Sequence, residues 1–430
     1  MKRVSVLAAV AVAAVLTAAL VAGKVTAAST AVESPGADPT EVVLWHGFTD
    51  YERTALERQI SKFNATNKGV RVRAQFIGNA DFALQKVLTA ISGGKYPDIS
   101  FLYGSWAANI AKSPKTLDLT QRVKEPSYRY DDLWPAARLA GTVGDKVVAL
   151  PALIDNLALV YNKKLFRQAN IPFPTARWTW ADFERAAKRL TITSRKQFGW
   201  AYVNDASEDT VWRFWATLWQ AGGDILSPDG KKAAFNSAAG VKALTHLQRM
   251  VVRDKSVYLD SGNQNYANLF NSGRIAMLFT GPWDLGSFPK VDYGVQILPA
   301  DVSHATIAGP DNWVLFDNGK ERADAAWTFI KWLTSTKEHL NLALATGQLP
   351  IRASEMRQPG YRRFVAKYKG IGTFVANLGN AKKARPVTDR YPRISEAVGQ
   401  AVQAVLLGKS DPQRALDEAA AKVNAILARP

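Results

Sequence analysis

EVVLWHGFTDYERTALERQISKFN, residues 41–64, joins an apolar strand to an amphipathic helix. EVVLW is the strand, and from about Glu52 to Asn64 the residues Leu56, Ile60 and Phe63 recur on one helical face. In VRVRAQFI (70–77), Val70, Val72 and Ala74 alternate with charged or polar residues, the pattern of a half-buried strand. A helix from Asp81 to Ile91 is stopped by Gly93–Gly94, and PDISFLY (97–103) reads as a buried strand. Strand, helix, strand, helix, strand implies a parallel α/β sheet, in which ligands sit beyond the carboxyl ends of the strands. Those ends are the loops after Leu44, Phe76 and Leu102.

A second α/β region follows. NLALVYN (156–162), QFGWAYV (197–203), RIAMLFT (274–280) and YGVQILPA (293–300) read as strands. WTWADFERAAKRLT (178–191) reads as a helix with Thr179 as N-cap and Asp182 near the positive end of its dipole. A helix from about Thr210 to Ala221 carries Trp212, Trp215 and Trp219 on one face, a spacing typical of core. The stretch from Ile394 to Leu427 is helical and broken at GKSDP (408–412), where Ser410 can cap and Pro412 can start the next helix. With 430 residues the chain is too long for one ordinary core, so two domains are expected.

Composition narrows the class. Hydrophobic content of 47% and charged content of 21% describe a folded protein with a large core. Lys2 and Arg3 precede an apolar run over residues 4–22 and then small residues, the pattern of an export signal over 1–28; the other reading is an uncleaved membrane anchor. Residues 29–40 read as a tether. There is no cysteine, which excludes disulfides, thiolate metal sites, cysteine nucleophiles and a cysteine-linked lipid. Net charge is +18, and removing Lys2, Arg3 and Lys24 leaves +15. The cations are scattered singly or in pairs, as in Lys163–Lys164 and Lys231–Lys232, so they read as solvated helix faces and no nucleic-acid partner is expected.

The opening stretch, together with GGKYPDISF (93–101), LPALIDNLALVYNKKLF (150–166), TWADFERAAKRL (179–190), SGRIAMLFTGPWDL (272–285), AAWTFIKWLTS (325–335), TGQLPIR (346–352) and VLLGKSDPQRALDEAAAKVN (405–424), resembles the extracellular solute-binding proteins of ABC importers. The likeness is to family 1, the carbohydrate-binding branch that includes maltose-binding protein, and it runs through nearly the whole mature chain. It implies an α/β, two-lobed periplasmic-binding-protein fold of type II, with discontinuous lobes joined by crossover hinges. The expected lobes are 40–150 plus 310–352, and 153–306 plus 355–430.

A sugar offers C–H faces that stack on aromatic rings and hydroxyls that need oriented acceptors and donors. Trp283 and Asp284, set by a Gly-Pro turn at the end of a strand, suit these two tasks, and the resemblance places the Gly-Pro-Trp tryptophan in the cleft. Trp45, Phe48 and Asp50 lie at or after the first strand end, though Trp45 also suits a core and Asp50 a helix cap. Ser105 and Trp106 follow the third strand; Ser105 stands where maltose binders carry a carboxylate, which argues against maltose. The resemblance makes Asp155, at a crossing, a hydroxyl-binding carboxylate. Trp212, nearest the start of its helix, is the tryptophan of that helix expected to reach the cleft, Asn312 can bond a hydroxyl or phosphate oxygen, and Arg352 lies beside the third crossing.

None of His46, His246, His304 and His339 has metal-site spacing, and no serine elbow is present. No catalytic residue, metal or cofactor is expected. The reading is a monomeric, exported receptor that delivers a sugar or oligosaccharide to a permease served by a cytoplasmic ATPase. The alternatives are a binder of glycerol 3-phosphate or a glycerophosphodiester, and a secreted glycoside-active enzyme.

Overall fold

The computed structural model describes residues 38–429, apart from 79, 263, 264 and 382 and the side chains of Asp50 and Asp81. The expected export signal and most of the expected tether lie outside the described residues. The strands are β1 (Thr40–His46), β2 (Val70–Phe76), β3 (Ile99–Tyr103), β4 (Thr142–Val143), β5 (Lys146–Val147), β6 (Leu150–Leu153), β7 (Ala158–Asn162), β8 (Phe198–Val203), β9 (Val257–Asp260), β10 (Ile275–Thr280), β11 (Tyr293–Gln296) and β12 (Asp311–Leu315).

Two five-stranded sheets result, in the orders β2-β1-β3-β12-β6 and β11-β7-β10-β8-β9, and β4 pairs with β5 in a small hairpin. β1 is parallel to β2 and β3, and β8 is parallel to β9 and β10. Each sheet also holds one reversed strand: β12 runs antiparallel between β3 and β6, and β7 runs antiparallel between β10 and β11. The sheets are therefore mixed, not purely parallel as the strand–helix alternation suggests. The reversed strands are those that enter directly from the other sheet, β7 straight after β6 and β12 after β11. A strand arriving that way needs no helical return over its own sheet, so it is free to run antiparallel.

The crossing segments lie side by side. Asn156 bridges to Ala308, and Ile154 bridges to Leu349. Asn156 is fully buried; its Nδ2 donates to the Phe374 carbonyl at 2.9 Å, and its Oδ1 accepts from Asn377 Nδ2 at 3.0 Å. After β12, the helices Lys320–Leu333 and Thr336–Thr346 pack on β1 and on Asp50–Thr66, and Pro359–Lys367 packs on Thr336–Thr346. Ile371–Asn377 then reaches β7 and β11, and Tyr391–Leu406 packs on Glu208–Gln220.

Local chemistry explains the elements. Leu56, Ile60 and Phe63 are buried as their spacing requires, with Phe63 edge-on to Phe329 at 4.9 Å. Thr179 and Asp182 close a reciprocal capping box on Trp180–Leu190. The break near residue 410 is capped by Asp411, not Ser410: Pro412 occupies the first helical position, which makes its predecessor the N-cap, and the Asp411 carboxylate accepts from the Arg414 N–H at 3.0 Å. The strand expected over 293–300 ends at Gln296, since Pro299 has no N–H to give a ladder. Glu208–Gln220 is buried on every side from Thr210 onward, between its sheet and the C-terminal helices. Its tryptophans are thus core in the main, and Trp215 Nε1 is satisfied by Tyr391 Oη at 3.0 Å.

Candidate functional site

Three chain segments meet where the two lobes join. β3 ends in the tight turn Gly104–Trp106, β6 runs into Asp155, and β12 starts at Asp311. The Gly104 N–H donates to the Pro310 carbonyl at 3.1 Å, and the Gly309 N–H donates to the Asp155 carbonyl at 3.2 Å. Both glycines are required by crowding. A Cβ on Gly104 would stand 2.3 Å from the Pro310 oxygen; one on Gly309 would stand 2.5 Å from Asp155 Oδ1 and 3.1 Å from Trp212 Cζ2. Asp155, Gly309 and the indole of Trp212 therefore touch around one point. Trp212 faces Trp283 with ring centroids 5.7 Å apart and planes tilted by 44°. From the opposite lobe, the Tyr51 hydroxyl donates to the Trp283 carbonyl.

Some polar atoms in these segments have no hydrogen bond among the described residues. Asp155 Oδ1, Ser105 Oγ, Asn312 Oδ1 and Trp212 Nε1 are buried in this way, although Asn312 Nδ2 donates to the Ala140 carbonyl at 2.8 Å. A buried polar group without a partner costs about 1–3 kcal/mol, so each of these atoms is one that water or a solute could satisfy. Burial, and then the nearby charge of Asp311, hold the Asp155 carboxyl well above the usual carboxylate range, with Arg385 pulling the other way. Arg385 is itself buried and pairs with Glu208 at 2.9 Å; its guanidinium is held charged by Glu208, Tyr391 and Asp311. Glu208 also accepts from the hydroxyls of Tyr391 and Ser395.

Of the residues singled out from sequence, Asp155, Trp212 and Trp283 come together around Gly309, while Ser105 lies in the Gly104–Trp106 turn and Asn312 on β12, bonded to Ala140. Others are used elsewhere. Trp45 Nε1 donates to Gln75 at 3.1 Å, and its ring packs with Ile77 and Leu84. Phe48 is wedged between Phe101 and Trp313, at 4.7 and 6.0 Å. Trp106 is buried against Tyr103 at 4.6 Å. Asp284 points into its own lobe, accepting from Thr280 beside Tyr266 and Arg213. Arg352 is locked by the Thr334 and Arg129 carbonyls at 2.6 and 2.8 Å and lies over the Tyr128 ring. Asp50 opens the helix Asp50–Thr66, and its side chain lies outside the described residues. Sequence reasoning passed over Asp311, Glu208, Arg385 and Tyr51. Asp311 adjoins Asn312 on a strand, so the alternation of faces gave a signal to weigh both; Arg385, in an irregular loop, gave none.

Among the described residues there is no group of three or more His, Asp or Glu side chains placed to hold a metal, and no helix is long and apolar enough to cross a membrane.

The fold matches solved binding proteins. A tagatose-bound ABC transporter solute-binding protein of Thermotoga lettingae superposes with a TM-score of 0.81, covering 90% of this chain and 100% of that one at 26% identity. The cyclic α-maltosyl-1,6-maltose-binding protein of Arthrobacter globiformis gives 0.76, with 90% and 99% covered at 27% identity. In sequence, the sn-glycerol-3-phosphate-binding periplasmic protein UgpB of Escherichia coli is 24% identical over 413 residues, which is 91% of this chain and 93% of that protein. The profile of the bacterial extracellular solute-binding proteins matches residues 49–339, well over half of the chain, and the chain belongs to that family.

Proposed function

We propose that the chain is the substrate-binding component of an ABC importer, which captures a sugar or oligosaccharide between its lobes and delivers it to a membrane permease. The observation that carries this reading is the meeting of Asp155 Oδ1 with the indole of Trp212 at Gly309, beside the facing Trp283, where Asp155 Oδ1 and Trp212 Nε1 have no hydrogen bond among the described residues. An acceptor, a donor and aromatic faces together suit a polyol ring. The sugar-bound relatives support the same class of solute.

In this reading solute binds between separated lobes and shifts the population towards closed ones, because only the closed form presents both walls at once. We take the lobes as 40–150 plus 310–352 and 153–306 plus 355–430; Pro359–Lys367, within the second range, packs on Thr336–Thr346 of the first. The protein works as an exported monomer that releases its solute unchanged, with a permease and its ATPase as partners.

Glycerol phosphate is the second reading, favoured by the relationship to UgpB. The surroundings of Asp155 weigh against it: burial and the Asp311 charge already disfavour a negative charge on Asp155, and would disfavour a phosphate beside it in the same way. A calorimetric screen of saccharides, alditols and glycerophosphodiesters, with product analysis, tests the function. Saturable binding of a saccharide that is recovered intact is expected. Hydrolysed products, or binding of glycerophosphodiesters alone, would overturn it.

A further inference from the structure

Trp283 is held by its own lobe on several sides. It stands in the tight turn Pro282–Ser287 that follows β10. Its six-membered ring folds back over Gly281, where an added Cβ would lie 1.8 Å from Cζ3 and 2.2 Å from Cε3, so a glycine is needed for this placement. The ring is turned towards Trp212. Tyr266, in the helix Asn265–Asn271, hydrogen-bonds through its side chain to both the Trp283 side chain and the Asp284 carboxyl. The residue that faces the solute and the buried acid beside it in sequence thus share one hydroxyl.

Tyr266 and Asp284 are buried, and their other neighbours are fixed. The Tyr266 N–H donates to Asp260 at 2.8 Å, and the Thr280 hydroxyl donates to Asp284. The Arg213 guanidinium lies 5.8 Å from the Tyr266 ring, pairs with Asp209 and donates to the Phe279 carbonyl at 3.3 Å. Burial pushes the Tyr266 phenol up, so it keeps its hydrogen whatever the state of Asp284. An ionised Asp284 only accepts. Thr280 and Tyr266 then both donate to it, and the Tyr266 oxygen is left to accept from the indole N–H of Trp283. A neutral Asp284 has a hydrogen of its own, which it can give to either hydroxyl, and that single arrangement is lost.

We propose that Tyr266 is a positioning residue for solute binding, which sets the plane of the Trp283 indole, and that Asp284 governs it: the ionised carboxyl locks Tyr266 against Trp283 and the neutral one releases it. This rests on the solute-binding function above and adds its regulation by pH. Tyr266 and Asp284 act through the ring that stacks on the solute. Burial raises the Asp284 carboxyl to about 6, against Thr280, Arg213 and Tyr266, so the lock is made above that pH and loosens as pH falls through it. Removing the Tyr266 hydroxyl should cost about three- to tenfold in affinity where Asp284 is ionised.

Calorimetric titration of the purified protein with D-tagatose, glucose, sorbitol and maltotriose identifies a solute that binds. That solute is then titrated at about pH 5 and about pH 7.5 into the unaltered protein, Tyr266→Phe and Asp284→Asn. The ratio of affinity at the higher pH to that at the lower should be about threefold or more greater in the unaltered protein than in either variant. Asp155, held above the usual carboxylate range, is common to all three proteins, so the difference between their profiles reads Asp284 alone. Tyr266→Phe keeps the buried ring, and Asp284→Asn stands in should it not fold. Variants with the pH ratio of the unaltered protein, whether or not they bind more weakly, would mark a merely structural role and overturn the proposal while leaving the receptor reading intact. Absence of binding by every solute of the panel would overturn both.

Discussion

Burial raises the Asp284 carboxyl from 3.8 to about 6, against the hydrogen bond from Thr280 and the charge of Arg213. The folded chain thus holds this proton more tightly than the unfolded one. Stability linked to Asp284 is full below about pH 3.8 and is lost as pH rises through 6. A shift of this size corresponds to about 3 kcal/mol. Asp284→Asn keeps an acceptor for Thr280 and cannot ionise. Denaturant unfolding should show that variant gaining stability over the parent between about pH 4 and 6; parallel profiles would refute this. His46 works in the opposite sense. Burial, then the Arg53 charge, lower its imidazole from 6.5 to about 4, so its contribution is present above pH 6.5 and is lost as pH falls through 4. His46→Gln should remove that acid-side loss, again about 3 kcal/mol at its largest. The two groups offset one another between pH 4 and 6, so single variants are needed to expose either.

Caps and register decide the elements. Asp411→Ala removes the acceptor for the Arg414 N–H and should lower stability by about 1 kcal/mol in thermal unfolding, whereas Ser410→Ala should leave it nearly unchanged. That contrast also shows what the sequence makes legible. Pro412 announces a helix start, and the choice between Ser410 and Asp411 follows from its position. The first three strands and the helices between them are legible because each has a clean period and a glycine stop. β9 is not, since four residues, VYLD, are too few to establish alternation. The reversed strands β7 and β12 escape as well, because direction within a sheet is set by where the chain comes from. The candidate site divides in the same way. Trp212 and Trp283 face one another on one side of the junction, while Trp45 and Trp106, equally close to strand ends, turn into a local core with Leu84 and Leu102. An aromatic at a strand end reads alike on either face, and only the packing of helices on the sheet separates the two. Arg385 could not be found from sequence because its partners Glu208 and Tyr391 belong to other elements.

At the scale of the molecule, three crossings tie two sheets that each contain a strand delivered from the other. The lobes touch at Tyr51 and the Trp283 carbonyl, and at Asn109, whose Nδ2 donates to the Asp389 carbonyl at 2.6 Å; Lys112 also pairs with Asp389. Each such polar contact is worth about 0.5–1.5 kcal/mol, enough to tip a closely balanced equilibrium between separated and closed lobes. Tyr51→Phe should therefore shift the free protein towards separated lobes, read as a larger radius of gyration in solution scattering, and saturating solute should restore the compact form; an unchanged radius with and without solute would contradict a hinged receptor. The most direct test is calorimetric titration of Trp283→Ala with the solute that the unaltered protein binds best. The account predicts a loss of about 2–4 kcal/mol, roughly 30- to 1,000-fold in affinity, with the melting temperature of the free protein little changed. Affinity equal to that of the unaltered protein would contradict the placement of the solute between Trp283, Trp212 and Asp155.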